Sequence, residues 1–212
     1  MRYTVRENTL IVNGEFEALS SGINGGRKDV TTLFNHTINP KFFNHTPPEH
    51  YTQKVADKYG IPRPYFGLLT AVKMKYLQII TDEYLTAFIT AGITNPSPFK
   101  ITGQEITHTS QIANTTNPAQ ITETIGTINI ILIAHATLSE EAMASAIITA
   151  TEAKGLALLK AGCNFLGTTT DAIIIAYEKH PVRRIKYAGT CTELGGKITE
   201  AVIRGVRKPV KR

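Results

Sequence analysis

The sequence contains no tryptophan and only two cysteines, Cys163 and Cys191, among its 212 residues. Two cysteines are too few for the disulfide framework of a small secreted domain, and no Cys-x-x-Cys spacing is present to hold zinc. We therefore interpret each cysteine as a buried free thiol.

Long hydrophobic runs are also absent. The longest apolar stretch, residues 128–136, is interrupted by Asn129 and His135 and is far shorter than the roughly 20 residues of a membrane-spanning helix. The N-terminus has basic residues but no apolar signal core behind them. The sequence therefore predicts a cytoplasmic protein that has no membrane segment.

None of the common catalytic motifs is present. There is no GxSxG elbow, no Walker A sequence and no HExxH pair, and residues 22–26 do not match the GxGxxG fingerprint of dinucleotide-binding folds. The six histidines include no pair spaced i,i+4, and most of them are expected on the surface or in loops. No metal site and no resident cofactor are predicted, and a role for a divalent metal is left open.

The composition is that of an ordinary globular protein, because 42% of the residues are hydrophobic and 19% are charged. The length suits one large domain or two small ones, and a single domain over residues 1–212 is preferred. The formal charge of +6 is unevenly distributed. Residues 183–212 hold nine Lys or Arg and two Glu, a net charge of +7, so the preceding residues sum to −1.

A basic C-terminal end of this kind can bind nucleic acid through phosphate contacts. Apart from Tyr187, however, no aromatic residues are interleaved with the basic ones, and no nucleic-acid-binding motif is present. Nucleic-acid binding is therefore disfavoured. The C-terminal end is interpreted as a solvated helix face that continues into a frayed basic tail at about residues 204–212.

Hydrophobic periodicity and turn residues divide the chain into strands, helices and loops. Strands are predicted over residues 3–6, 9–12, 16–19, 76–81, 85–89, 127–136 and 171–177. Helices are predicted over residues 28–36, 49–59, 139–161 and 193–206. The intervening segments 20–26, 38–48 and 92–126 are expected to be loops.

The helix at about residues 139–161 is the clearest element. Either Ser139 or the capping-box pair Thr137 and Glu140 begins it, Gly162 ends it, and its many alanines allow close approach to a sheet. The strand at 127–136 is apolar on both faces, which is typical of the middle of a covered sheet. The sequence thus predicts an α+β or mixed-sheet α/β fold: a single domain whose central mixed sheet is covered by helices, including this long Ala-rich helix.

Two polar clusters lie in apolar surroundings. The first is in the Ala-rich helix, where Glu152 is on the polar side and a solvated helix face is the alternative to a functional role. Lys154 borders the apolar stripe of the same helix, where it either snorkels to solvent or serves a site. The second cluster, residues 167–171, opens a buried strand with three threonines and Asp171, and here the alternative is a turn in which Asp171 caps local N–H groups.

These clusters belong to a larger pattern of separated segments: 19–26 (LSSGINGG), 67–71 (GLLTA), 90–95 (TAGITN), 126–129 (GTIN), 149–154 (TATEAK), 167–171 (GTTTD) and 187–189 (YAG) followed by 194–195 (LG). In order and spacing, over about residues 15–206, they resemble the adenosylcobinamide amidohydrolase family. The resemblance implies an enzyme of archaeal-type corrinoid salvage. Such an enzyme cleaves the amide between aminopropanol and the corrin ring of adenosylcobinamide and gives adenosylcobyric acid.

Amide hydrolysis requires an activated nucleophile, donors for the oxyanion and an acid for the leaving amine. Our leading hypothesis is that Asp171 or Glu152 activates a water, while Lys154 stabilises negative charge or protonates the amine. The resemblance also implies substrate-binding residues in the glycine loop, the threonine run and the neighbouring segments: Ser20, Ser21, Asn24, Gly25, Gly26, Thr90, Asn95, Asn129, Thr168, Thr169 and Thr170.

Two alternatives remain open. In the first, Ser21 or one of the threonines is a covalent nucleophile; in the second, the chain binds a corrinoid without hydrolysing it. Three positions depart from the pattern expected of the family: Gly22 stands in place of Ala, Leu166 in place of a small hydroxylated residue, and Cys191 in place of His. The expected partner is the corrinoid substrate, and a homo-oligomer is left open.

Overall fold

Ten strands and three helices form in the part of the chain that the computed structural model describes, residues 1–39, 46–93, 96–97, 126–179 and 183–210. The strands are β1 (Arg2–Arg6), β2 (Thr9–Ser20), β3 (Gly26–Thr37), β4 (Tyr65–Thr70), β5 (Gln78–Thr81), β6 (Leu85–Ala91), β7 (Ile128–Ala134), β8 (Thr137–Leu138), β9 (Ala172–Glu178) and β10 (Arg184–Ile185). The helices are α1 (Pro48–Tyr59), α2 (Glu140–Lys160) and α3 (Glu193–Val210), and a 3₁₀ turn covers Met74–Tyr76.

Eight strands form one mixed sheet in the order β4-β3-β2-β9-β7-β6-β5, with β1 paired to the first half of β2. In this sheet β7 and β9 are parallel, as are β3 and β4, while the other neighbours are antiparallel. Two parallel strands need a crossover connection, and α1 lies in the connection from β3 to β4. The predicted central mixed sheet covered by helices is confirmed.

The sheet is strongly curled. In a flat sheet β4 and β7 would be about 19 Å apart, because four strand spacings of roughly 4.8 Å separate them. Asn129 Nδ2 on β7 nevertheless donates a 2.9 Å hydrogen bond to Leu69 O on β4. Large apolar side chains fill the concave side: Leu10, Val12, Phe16, Leu33, Phe66, Leu68, Phe88, Ile131, Ile133 and Ile174. Burial of each such side chain contributes about 1.5–3 kcal/mol, so closing the curl is strongly favoured.

Helices α2 and α3 cover the opposite face of β6, β7 and β9. Alanines at one-turn spacing on α2 are fully buried and bring its backbone close to the sheet, and Ser139 is its N-cap, accepting a 3.2 Å hydrogen bond from Ala142 N. The predicted bounds of this helix are therefore confirmed to within one residue. By length and composition α2 is apolar enough to cross a membrane, but 56% of its most apolar window is buried, as in a helix that packs on a sheet.

The predicted helix over residues 28–36 is wrong, because these residues belong to β3. The stretch contains Val30, Thr31 and Thr32, whose branched β-carbons favour extended backbone, and β3 pairs with β2 along nearly its whole length. Strand β4 was not predicted at all. Helix α1 is confirmed, ending at Gly60 in the left-handed conformation (φ 64°).

Other predictions were wrong or fall outside the described residues. The strand predicted from residue 76 begins only at Gln78, after the 3₁₀ turn. Ile38, placed in an exposed loop, is buried, while residues 40–45 and most of the 92–126 segment lie outside the described part of the chain. Neither cysteine is a buried thiol, since Cys191 is exposed and Cys163 is only partly buried.

His36 is an exception to the expectation that most histidines lie on the surface. It is buried on β3 between the tyrosine rings of α1, and its Nδ1 lies 2.7 Å from Thr9 Oγ1. Burial lowers the pKa of His36 to about 4, and the nearby Lys58 ammonium adds to this shift. The imidazole is therefore neutral in the folded protein at pH 7, where it forms part of the packing between β3 and α1.

The start of α3 permits a matched test of glycine packing. A Cβ on Gly195 would overlap the backbone oxygen of Gly189, whereas a Cβ on Gly196 would meet no atom within 4 Å. We expect Gly195→Ala to lower the free energy of unfolding by about 1–3 kcal/mol, as overpacking does. Gly196→Ala is expected to raise it by up to about 1 kcal/mol, because alanine is the better helix former. Urea unfolding followed by circular dichroism measures both, and equal effects of the two substitutions would contradict the predicted packing.

Candidate active site

A cavity of about 320 Å³ opens at the edge of the curled sheet where β2 and β4 end and where β7 and β9 begin. The loop after β2 and the segment before β9 form one side, and the end of β4 with Ile38 and Pro48 forms the other. Polar and apolar groups share the wall: residues 21–23, 38, 48, 68–71, 127, 129 and 169–172. Because the curl brings the two ends of the sheet together, the cavity is built from parts distant in the sequence.

The glycine loop after β2 is fixed against β9. Ser21 N donates to Ile173 O at 3.0 Å, and Ser21 Oγ accepts from Ile173 N at 3.0 Å, which continues the strand pairing into the loop. Ser20 Oγ accepts from Gly22 N at 3.1 Å. Gly25 leaves no space for a Cβ beside the backbone of Ser20, so the turn requires glycine there. The rim of the cavity is therefore held in place by hydrogen bonds of the backbone and of the Ser20 and Ser21 hydroxyls.

Asp171 is the only ionisable side chain among the described residues that line the cavity. Its Oδ1 accepts from Ile128 N at 2.8 Å and from the Thr168 hydroxyl. Its Oδ2 accepts from Thr168 N at 3.0 Å and from the Lys154 ammonium at 2.5 Å. Four donors thus orient this carboxylate, which joins the threonine turn to β7 and α2.

Lys154 reaches Asp171 from the buried side of α2. The two side chains are each 9% exposed, so Lys154 does not snorkel to solvent. Gly167 lies directly over the pair, because a Cβ there would come within 2.6 Å of both Asp171 Oδ2 and Lys154 Nζ. Burying an ion pair is offset only by close geometry and further hydrogen bonds, and Thr168 and Ile128 donate such bonds to Asp171.

A chain of buried amide and hydroxyl groups begins at the floor of the cavity, which Asn129 lines, and continues behind it through Asn35 to Thr90. Asn129 Nδ2 donates to Asn35 Oδ1 and to Leu69 O, both at 2.9 Å, and Asn35 Nδ2 donates to Thr90 Oγ1 at 2.9 Å. Asn35, Thr90 and Asn129 are each at most 1% exposed. Asn129 Oδ1 is buried and has no hydrogen-bond partner among the described residues. Asn129 Oδ1 can therefore still accept a hydrogen bond.

The structure places the predicted site residues in different positions relative to the cavity. Ser21, Asn129, Thr169, Thr170 and Asp171 line the cavity. Behind this wall, Ser20, Thr168 and Lys154 hold lining groups through hydrogen bonds. Thr90 acts through one further residue, because it accepts from Asn35, which in turn accepts from Asn129. Asn24 and Gly25, in the loop, and Gly26, the first residue of β3, do not line the cavity, and Asn95 lies outside the described residues.

Glu152 is not brought to the cavity. It is exposed on α2, and a side chain two positions from Lys154 on a helix points to a different face. The structure also locates the three positions that depart from the expected family pattern. Neither Leu166 nor Cys191 lines the cavity, whereas Gly22 does, and a Cβ there would come within 2.6 Å of the Leu68 side chain.

Sequence reasoning missed three parts of the site. Asn35 was hidden by the wrong assignment of β3 as a helix, although an asparagine beside Leu33 and Phe34 is itself a signal of a buried polar group. The end of β4 was missed with its strand, and the close packing over Gly167 has no signature in the sequence. No group of three or more His, Cys, Asp or Glu side chains that could hold a metal occurs in the described part of the chain.

The sequence is similar to one family of known proteins over nearly its whole length. A family model described as adenosylcobinamide amidohydrolase matches residues 2–212. A Methanosarcina mazei protein named adenosylcobinamide amidohydrolase is 48% identical over 215 residues, which cover 98% of this chain and 96% of that protein. A Halobacterium salinarum protein of the same name is 26% identical over 89% of this chain and 78% of its own, and an uncharacterized Methanocaldococcus jannaschii protein is 32% identical over 93% and 84%. No solved structure matches the chain.

Proposed function

The chain belongs to the adenosylcobinamide amidohydrolase family and is a hydrolase, and from this membership we propose that it hydrolyses adenosylcobinamide. The bond cleaved is the amide that joins aminopropanol to the corrin ring side chain. The products are adenosylcobyric acid and aminopropanol, and the reaction serves the salvage of incomplete corrinoids.

The size of the cavity supports binding of one side arm. Ligand cavities span roughly 300–1,000 Å³, so 320 Å³ is at the lower end of that range. The scissile arm fits such a space, whereas the corrin ring with its axial adenosyl group is far larger and would rest outside, against the rim. A mixed wall of aliphatic and amide or hydroxyl groups suits an arm that is itself a short alkyl chain with an amide.

The observation that carries the proposal is the position of Asp171, a carboxylate at the cavity wall with a buried lysine behind it. We assign Asp171 as the general base, which takes a proton from a water as that water attacks the amide carbon. The Thr168 hydroxyl rotates to release one lone pair of the carboxylate for this step. Lys154 orients the carboxylate through its 2.5 Å contact with Oδ2, and it does not itself line the cavity.

The tetrahedral intermediate needs donors for its oxyanion. Thr169 and Thr170 line the cavity beside Asp171, so their hydroxyls are our candidates for this role. The proton gained by Asp171 then passes to the leaving nitrogen, and the amide C–N bond breaks to give the amine and the carboxylic acid.

A covalent route through Ser21 has less support. Both hydrogen bonds of its hydroxyl within the described residues are to the backbone of Ile173, and none is to a side chain that could act as a base. The water route needs no change at Ser21, which then serves to fix the rim.

The test is direct. Purified protein is incubated with adenosylcobinamide, and aminopropanol and adenosylcobyric acid are quantified by mass spectrometry. Stoichiometric formation of both products is the expected result. Saturable corrinoid binding with no aminopropanol released would contradict the proposal and support a binding protein instead.

A further inference from the structure

The cavity floor contains an acceptor whose orientation the fold determines. Both N–H bonds of the Asn129 amide are used, one by Leu69 O and the other by Asn35 Oδ1. Reversing this amide would place its oxygen against the Leu69 carbonyl oxygen, so the orientation with Nδ2 toward β4 is the stable one. The Asn129 orientation in turn fixes that of Asn35, whose Nδ2 donates to Thr90.

Asn129 Oδ1 is therefore left as a buried acceptor on a residue that lines the cavity, without a partner among the described residues. Buried polar atoms are nearly always paired, because a lost hydrogen bond to water is not replaced. An acceptor placed in this way is satisfied when a donor enters the cavity. A carbonyl, an ester or a carboxylate cannot supply that donor, whereas an amide N–H can.

The position of Asn129 relates this acceptor to the proposed base. The preceding residue, Ile128, donates its N–H to Asp171 Oδ1 at 2.8 Å. Thr127 lies two residues before Asn129, and its Oγ1 donates to Thr170 O at 2.9 Å. The start of β7 thus joins the strand that carries the acceptor to the turn that carries Asp171, and both residues line the same cavity.

We propose that Asn129 Oδ1 accepts a hydrogen bond from the N–H of the scissile amide and makes the cavity selective for amides that carry an N–H over esters. This inference rests on the proposed function. It also accounts for product release, because the carboxylate formed by hydrolysis has no donor for Oδ1 and meets it oxygen to oxygen. Asn35 and Thr90 are positioning residues that hold the Asn129 amide in the required orientation.

The experiment uses two corrinoid probes that differ only in the donor: an N-methylcarboxamide and a methyl ester at the position of the scissile arm. Both are uncharged and lack the aminopropanol hydroxyl, so repulsion by Asp171 and hydroxyl binding do not contribute to the difference. Dissociation constants are measured by stopped-flow absorbance before turnover. We expect the wild-type protein to bind the amide probe about 10-fold more tightly than the ester.

Asn129→Leu should bring this ratio close to one. The control is Thr86→Val, which removes a buried hydroxyl on the same face of β6 as Thr90 but outside the cavity lining. In this variant the ratio of the two dissociation constants should remain as in the wild type. If Asn129→Leu does not fold, equal binding of the two probes by the wild-type protein still overturns the inference.

The outcomes separate the two proposals. Equal binding of both probes to the wild type, with aminopropanol still released from adenosylcobinamide, overturns this inference alone. The same follows from a ratio that Asn129→Leu leaves unchanged. Absence of binding by both probes, together with absence of aminopropanol release, overturns the proposed function and this inference with it.

Discussion

Replacing Asp171 by asparagine is expected to lower kcat/KM for adenosylcobinamide by about 10²–10⁴-fold, the usual contribution of a general base. An amide cannot take a proton from the attacking water. The variant keeps the size of the side chain. Its NH₂ group, however, faces N–H donors whose hydrogen bonds the carboxylate accepted, among them Ile128 N and Lys154 Nζ. Activity is measured as aminopropanol release, and circular dichroism and thermal unfolding establish how much folded protein is present.

Asp29→Asn is the matched control for this variant. It removes the same charge from an exposed carboxylate, which pairs with Lys179 at 2.7 Å. Activity should be unchanged, and Glu152→Gln on the exposed face of α2 should likewise remain within about twofold of the wild type, since a surface charge contributes little. A folded Asp171→Asn protein with activity as high as these controls would disprove the assignment of Asp171 as the base.

Replacing Lys154 by methionine is expected to lower the free energy of unfolding by about 3 kcal/mol, near the lower end for breaking a buried ion pair. The loss is large because the Asp171 carboxylate stays behind in a site that is 9% exposed. The expected loss lies near the lower end of the range for broken buried ion pairs, because Thr168 and Ile128 still donate three hydrogen bonds to Asp171. Urea denaturation measures the change, and the linear free-energy plots give it directly.

The Lys179→Met variant is the control, because it breaks the exposed pair with Asp29 and should cost less than about 1 kcal/mol. A second measurement tests the origin of the Lys154 effect. In an Asp171→Asn background the additional cost of Lys154→Met should be much smaller, because no buried charge is then left unpaired. Equal costs in the two backgrounds would show that lost packing, not charge pairing, determines the stability.

The sequence allowed good prediction where local signals were strong. Helix α2 has a capping residue at one end, a stop signal at the other and an unbroken alanine stripe, so its bounds could be predicted. Strand β7 is apolar on both faces, which only a central strand tolerates. Lys154 and Asp171 were each identified as candidates, but their contact depends on how α2 packs on β9, which no local pattern reports.

The parts that could not be predicted depend on distant partners. Strand β3 is exposed over its first four residues and buried over most of the rest, because one end lies at the open edge and the other inside the curl. Such a strand has no regular period of two along its length, and for this reason the prediction of a helix over residues 28–36 is wrong. Because β3 is not predicted, Asn35 and the amide chain beneath the cavity are not predicted either. Strand formation depends on neighbouring strands more than on the propensity of the residues.

The curl that builds the cavity also determines when the cavity comes into existence. The three hydrogen bonds of the amide floor join residues 55, 60 and 94 positions apart, and the rim is joined to β9 across 152 positions. Contacts of such high sequence separation form late, because the entropy of closing long loops must be overcome before they contribute. We therefore expect a partly folded chain with helices and hairpins to lack this floor, so that corrinoid affinity during refolding would follow the joining of β3, β4, β6 and β7 rather than any local element.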